Sequence, residues 1–81
     1  KFEYAYLNFL QGNIEQTFST LNTISIDSIY KEFALILEAE IYDYILNNKS
    51  KCVDLYLFLL DNYPENIYYD LIRMRLRKLA S

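Results

Sequence analysis

The sequence contains very few of the residues that interrupt helices or cross-link small folds. Its 81 residues include one Gly, one Pro, one Cys and neither His nor Trp. A single Cys excludes an internal disulfide, and without His or a CxxC pair the usual ligands of a zinc site are missing. So little Gly and Pro argues against a fold of short strands and tight turns. We therefore expect long helices and no metal or other cofactor.

A large excess of charge of one sign and a long apolar run are also missing. The net charge of −3 lacks the basic excess of a nucleic-acid-binding protein. Apolar residues make up 53% of the chain, but no run approaches the ~18 consecutive residues of a membrane-spanning helix. We expect neither nucleic-acid binding nor membrane insertion. Because the chain begins with Lys1 and shows no leader pattern, we expect a piece of a longer protein, whose missing N-terminus decides between periplasm and cytoplasm.

The stretch from residue 28 to residue 64 has the pattern of an antiparallel helical hairpin. Apolar residues recur in its first half at intervals of three and four: Ile29, Phe33, Ile36, Leu37, Ile41, Tyr44 and Ile45. That spacing predicts a helix over Ser28–Leu46. A polar turn at residues 47–50, with Asn48 or Ser50 as an N-cap, precedes a second helix over Lys51–Asn62. Pro64 ends this helix because it has no amide proton to donate.

The same spacing predicts helices on both sides of the hairpin. We expect residues 2–11 and 14–24 to form two helices separated by Gly12, which accepts the positive φ common at helix ends. Residues 23–27 alternate polar and apolar side chains like a strand, but no second strand is present to pair with them, so we expect a loop. After Pro64, Asn66 can cap a closing helix. The sequence therefore predicts five helices and no sheet.

The chain also repeats itself at a spacing of about 34 residues. Ala5 and Ala39 are equivalent small residues in the first helix of each hairpin, and Thr17 is equivalent to Cys52 in the second. The second unit, with Ala39-Glu40-Ile41-Tyr42, Cys52, Tyr56 and Tyr63-Pro64, resembles a tetratricopeptide repeat. The first unit is similar but degenerate, with Asn8 where an aromatic residue is usual. The basic tail at residues 73–79 resembles the closing helix of bacterial arrays of this family.

The resemblance implies an all-α fold of antiparallel helical hairpins stacked as a fragment of a right-handed solenoid. Within a single domain, residues 1–27 would be the degenerate repeat, residues 28–64 the full repeat and residues 65–81 a C-terminal capping helix. The chain would then be the C-terminal part of a longer array. Members of the family are protein-binding scaffolds, so the expected partner is a peptide, a helix, or neighbouring repeats or subunits.

The family binds its partners in a concave groove lined by the first helix of each repeat. Repeat register assigns seven residues of this chain to that groove: Tyr6, Phe9, Glu40, Asp43, Tyr44, Arg75 and Lys78. Phe2, Phe33 and Leu37 also map to this face, where packing between helices would explain their apolar character equally well. Some tetratricopeptide modules grip a terminal carboxylate with basic groove residues. The matching positions here carry none, so that activity is not implied.

The sequence contains no strong candidate for a catalytic residue. The carboxylates of the central hairpin fall mainly on polar helix faces, whereas acid–base catalysis needs a buried, closely spaced pair. Cys52 occupies the small-residue position of the repeat, so we expect a thiol packed inside the central hairpin, and it has no His to activate it. The cations at Arg73, Arg75, Arg77 and Lys78 either favour the negative end of the last helix or meet an acidic partner. We expect no enzymatic activity and no small-molecule substrate.

Two functions are consistent with the sequence. The first is a non-catalytic scaffold that presents a concave helical surface to a partner peptide or helix. The second is a purely architectural end cap of a longer solenoid in a multi-subunit assembly. The first helix is apolar around nearly its whole circumference, and large apolar patches rarely persist on soluble monomers. We therefore expect preceding repeats, another subunit or a bound chain to cover the face around Tyr4 and Leu7.

Overall fold

The computed structural model describes residues 1–80, and over that range the chain is all-α. Its helices are α1 (Phe2–Leu10), α2 (Ile14–Leu21), α3 (Lys31–Glu40), α4 (Lys49–Asn62) and α5 (Tyr69–Ala80). One turn of π-helix, Ile41–Ile45, continues α3 without a break. No strand occurs between residues 1 and 80. The predicted five helices without a sheet are therefore confirmed.

The chain divides into two compact units, and the division falls within α3. The first unit, Lys1–Ala34, contains α1, α2 and the first turn of α3. The second unit begins at Leu35 and contains the rest of α3, the π turn, α4 and α5. The repeat boundaries at residues 27/28 and 64/65, and the stacking of the repeats, stay predictions.

In the first unit, α1 packs against α2 through small side chains. Ala5 and Thr17 are completely buried, and Leu21 is nearly so. The Thr17 hydroxyl donates to the carbonyl oxygen of Asn13 at 2.8 Å, which satisfies a polar group inside the helix pair. Gly12 connects the two helices with φ of +81°, a conformation that strains residues with a Cβ. The predicted helix break at Gly12 is confirmed.

In the second unit, α4 packs against the π turn and α5. The core consists of Leu35, Ala39, Cys52, Tyr56, Leu59 and Ile72. The predicted burial of Cys52 is confirmed, because its side chain is completely inaccessible to solvent. Asn48 is the N-cap of α4, and its side-chain oxygen accepts from the amide of Lys51 at 3.2 Å. Asn48 is one of the two alternative N-cap residues that the sequence predicted for this helix.

Four predicted helix ends differ from the structure by two or three residues. The helix expected from Lys51 begins at Lys49, directly after the Asn48 cap. The other three differ because of local turns. The helix that we expected from Ser28 begins at Lys31, because the Ser28 hydroxyl accepts from the amide of Tyr30 in a local turn. The helix expected to reach Ile24 ends at Leu21. Asn66 likewise accepts from the amide of Tyr68 at 2.6 Å, and the last helix begins after that turn. In each of these three cases, the hydrogen bonds of a short-range turn use backbone groups that a longer helix would have needed.

The apolar face predicted for the first helix of the hairpin is partly wrong. Ile29 is 80% exposed, and Phe33, Tyr44 and Ile45 are also exposed. Ile41 is buried as predicted, and Ala34, Leu35 and Ala39 are buried as well. Apolar residues occur on both sides of this helix, so spacing alone could not select the buried side. The small side chains of Ala34 and Ala39 allow close approach of neighbouring elements, which favours burial of their side of the helix.

Candidate partner-binding surfaces

Five aromatic rings of the first unit lie in contact with one another. Phe2 stacks on Tyr6, with ring centroids 6.5 Å apart, and on Tyr30, with centroids 6.1 Å apart. Phe2 also meets Phe33 at 6.4 Å, and Tyr6 meets Phe9 at 6.3 Å. We call Phe2, Tyr6, Phe9, Tyr30 and Phe33 the aromatic surface. Helix α1 supplies three of the five rings, because Phe2, Tyr6 and Phe9 follow one another at intervals of four and three and lie on one side of it.

The aromatic surface is open to solvent. Tyr6 and Tyr30 are almost half exposed, Phe33 is 42% exposed, and Phe2 and Phe9 are half-buried. Tyr6 and Phe9 belong to the groove predicted from the sequence, whereas Tyr30 was missed. Tyr30 lies within the helix predicted over Ser28–Leu46, but the repeat register did not assign it to the groove.

The second unit contains a buried carboxylate, Asp43, held by an arginine and a tyrosine. The guanidinium of Arg75 donates from Nε to Oδ2 at 2.8 Å and from Nη2 to Oδ1 at 2.7 Å. The Tyr56 hydroxyl donates to Oδ2 at 2.9 Å. The side chain of Asp43 is 2% exposed and that of Arg75 is 31% exposed. This arrangement connects three elements of the unit, namely the π turn, α4 and α5.

The charges of this cluster are stable near neutral pH. The hydrogen bonds from Arg75 hold the pKa of Asp43 below its ordinary value, although burial acts in the opposite direction. Burial, together with the hydrogen bond to Asp43, raises the pKa of Tyr56. The carboxylate therefore stays ionised and the phenol stays protonated. Proton transfer at neutral pH needs a group that titrates near that pH, so the cluster is suited to holding α5 in place.

Three more predicted groove residues, Glu40, Tyr44 and Lys78, lie near this cluster in the sequence or the structure. Arg75 lies over the ring of Tyr44, with its guanidinium carbon 4.9 Å from the ring centroid. Tyr44 is 60% exposed, and Glu40 and Lys78 are exposed as well. Partial burial, followed by repulsion from Asp43, raises the pKa of Glu40. Asp43 itself is bound inside the protein and acts on the surface only by fixing the position of Arg75.

The predicted groove residues thus fall into two groups, one in each compact unit. The aromatic surface includes Tyr6 and Phe9, and the second unit contains Glu40, Asp43, Tyr44, Arg75 and Lys78. Tyr4 and Leu7, the residues that we expect another chain or repeat to cover, are each 56% exposed. Tyr4 also borders an open polar groove of about 560 Å³ lined by Asn8, Asn13, Ile14, Glu15 and Gln16.

The sequence carried an overlooked signal for the buried carboxylate. Leu35, Ala39 and Asp43 follow one another at intervals of four, which places Asp43 on the buried side of its helix. A carboxylate on a buried helix side needs a charged or hydrogen-bonding partner. Burial of Asp43 was therefore predictable. The identity of its partners was not, because Tyr56 and Arg75 are brought to it only by the packing of α4 and α5.

Three negative findings hold for the described part of the chain. No helix within residues 1–80 has the length and apolar character needed to cross a membrane. Over the same residues, no three Cys, Asp or Glu side chains are grouped closely enough to share a metal ion. Comparison of the sequence and structure with family models, curated proteins and solved structures finds no match.

Proposed function

We propose that this chain is a non-catalytic protein-interaction module that binds a partner peptide or helix. The observation that carries the proposal is the aromatic surface, where five rings form a continuous and partly exposed group. Single exposed apolar residues are normal on soluble proteins, whereas contiguous exposed apolar groups mark interaction sites. Tyr6 and Tyr30 suit such a site because tyrosine combines a large apolar ring with a hydroxyl that can bind polar groups.

The second unit supports the same function through Tyr44 and Arg75. Tyrosine and arginine are the residue types most enriched among the strongest contacts of protein interfaces. Asp43 holds the Arg75 guanidinium in one position over the Tyr44 ring. A side chain held in place before binding loses less conformational freedom when a partner arrives. The buried ion pair would therefore act as a support for a surface contact.

The tetratricopeptide-like arrangement is part of this proposal. It is supported by burial at positions that the repeat makes equivalent. Ala5 and Ala39 are both completely buried, and so are Thr17 and Cys52. Equal burial at equivalent positions is expected when each unit is the same helix pair. The architectural alternative, an end cap with no ligand of its own, would leave its aromatic side chains buried, and the exposure of Tyr6, Tyr30 and Tyr44 favours the binding function.

A selection from a displayed library of random peptides would test the proposal. We expect peptides that bind the wild-type chain and bind Tyr6→Ser and Tyr30→Ser at least about tenfold more weakly, because truncating a central interface tyrosine costs more than ~1 kcal/mol. Tyr68→Ser is the matched control, since Tyr68 is 41% exposed but lies in the second unit outside the proposed contacts. Its affinity for the same peptides should stay unchanged.

Two results would contradict the proposal. Either the selection yields no peptide that binds above the background of an unrelated helical protein, or the selected peptides bind all three variants equally. In the second case the peptides use another part of the chain. Circular dichroism of each variant checks that its helices are retained, so that a lost affinity reports a lost contact.

A further inference from the structure

The outer side of α1 has an acidic residue followed by two exposed leucines. Glu3, Leu7 and Leu10 follow one another at intervals of four and three, so they lie on one side of the helix. Leu7 is 56% exposed and Leu10 is 63% exposed. Ala5 and Asn8, on the other side, are buried where α1 packs on α2. We call Glu3, Leu7 and Leu10 the α1 stripe.

The outer side of α5 has the same pattern in the reverse order and with the opposite charge. Leu71 and Met74 are 62% and 57% exposed and are three residues apart. Arg77 and Lys78 follow Met74 by three and four residues, on the same side of the helix. Ile72 is buried on the opposite side, where α5 packs on α4. We call Leu71, Met74, Arg77 and Lys78 the α5 stripe.

We propose that the α1 stripe of one copy of the chain packs antiparallel against the α5 stripe of a second copy. In an antiparallel arrangement the intervals of the two stripes match. Leu10 then lies opposite Leu71, and Leu7 lies opposite Met74. Glu3 lies opposite the pair of cations at Arg77 and Lys78. Each apolar side chain meets an apolar side chain, and the one carboxylate meets positive charge.

Charge selects this pairing over the two alternatives that join identical stripes. Two α5 stripes packed in parallel would bring Arg77 and Lys78 near the same residues of the other copy, and two packed antiparallel would place these cations opposite Leu71 with no carboxylate in either stripe. Two α1 stripes would leave both Glu3 carboxylates without a cation. Like charges placed together oppose association, and a charge buried at an interface without a partner costs free energy. Because the two stripes differ, the contact is head-to-tail and leaves one free stripe at each end of a pair of copies. Such a contact can add further copies and form chains.

The association should be weak and concentration-dependent. Each stripe is one side of a single helix, so the contact is smaller than the ~1,200–2,000 Å² of a typical stable interface. We therefore expect the chain to be monomeric at low micromolar concentration and to associate as the concentration rises towards millimolar. This inference is independent of the aromatic surface, and peptide binding there can succeed or fail without affecting it.

Sedimentation equilibrium of two single variants and their mixture tests the pairing. Leu7→Lys places a cation opposite Met74, one helical turn from Arg77 and Lys78, and Leu71→Lys replaces an apolar side chain of the α5 stripe. Each variant alone should associate at least about tenfold more weakly than wild type, since a factor of ten corresponds to ~1.4 kcal/mol. Mixing them should produce a pair of copies that does not grow further. In that pair Leu71→Lys supplies an intact α1 stripe and Leu7→Lys supplies an intact α5 stripe.

The experiment has one control variant and three outcomes that would overturn the proposal. Leu57→Lys, at a residue of α4 that is 52% exposed, should associate like wild type. The proposal is overturned if the wild-type chain stays monomeric up to millimolar concentration, because the stripes then do not bind each other. It is also overturned if one of the two single variants associates like wild type, which would show a contact between identical stripes. Failure of the mixture to form a pair would equally exclude the head-to-tail contact.

Discussion

Arg75 and Asp43, 32 positions apart in the sequence, are joined by two hydrogen bonds from one guanidinium to both oxygens of one carboxylate. The contact fixes α5 to the π turn that follows α3. Two parallel N–H···O bonds allow only a narrow range of orientations, which makes the pair a geometric constraint as well as an electrostatic one. Because the Asp43 carboxylate is buried, a change of charge at or near it should alter the free energy of unfolding.

Asp43→Asn should destabilise the second unit by about 1.5–3 kcal/mol, the usual range for a hydrogen bond to a charged group. The amide replaces one acceptor oxygen with a donor, so one N–H group of Arg75 faces another N–H group. Urea denaturation of wild type and variant measures the free energy of unfolding. Asp61→Asn, at an exposed carboxylate of α4, is the matched control and should change it little. Equal stability of the two variants would mean that the ion pair contributes nothing.

The stabilisation by Asp43 should disappear in acid. The pKa of this carboxyl is lowered in the folded protein from 3.8, mainly by the hydrogen bonds from Arg75. The folded protein therefore binds the proton less tightly than the unfolded chain, and the stabilisation is fully present above pH 3.8. It is lost as the pH falls below 3.8 and through the pKa of the folded state. Urea denaturation of wild type and Asp43→Asn at neutral pH and at falling acidic pH should show their difference shrinking. A difference independent of pH would contradict the assignment of a charged carboxylate.

Glu40→Gln should have the opposite effect at neutral pH. Partial burial, with a smaller contribution from Asp43, raises the pKa of Glu40 above 4.5 in the folded protein. The folded protein then binds the proton more tightly than the unfolded chain. The contribution of Glu40 to stability is greatest below pH 4.5 and falls as the pH rises through its folded-state pKa. Removing the charge should therefore raise the melting temperature at neutral pH and leave it unchanged in acid. Glu65→Gln, at an exposed carboxylate, is the control, and an equal gain there would point to a general charge effect.

Cys52 should react slowly with a thiol reagent in the native protein and rapidly in denaturant. Its side chain is completely buried, and burial raises the pKa of the thiol, which lowers the fraction of reactive thiolate. The labelling rate can be followed by mass spectrometry at increasing urea concentration. It should rise as the second unit unfolds. Equal rates in native buffer and in denaturant would show that the core around Cys52 opens freely in the native state.

The two exposed stripes and the aromatic surface illustrate what residue spacing can and cannot specify. Intervals of three and four correctly placed Tyr6 and Phe9 on one side of α1. The same intervals also run through Glu3, Leu7 and Leu10, and both sides of that helix are rich in apolar residues. Which side is buried depends on the neighbour that packs there, and in this chain the small residues Ala5 and Thr17 bring α2 against one side. Residue spacing predicts that a segment is a helix, whereas the side that is buried depends on which other element packs against it.

The sequence alone determined the helical fold and three of the positions where a helix begins or ends. Gly12, Asn48 and Pro64 act on the backbone within a few residues of themselves, through φ, a cap and a missing amide proton, so their effects can be read locally. The tertiary structure alone decided that Asp43 meets Tyr56 and Arg75. It also decided which of two apolar sides α3 buries. Both depend on residues that are distant in the sequence and become neighbours only when the helices pack.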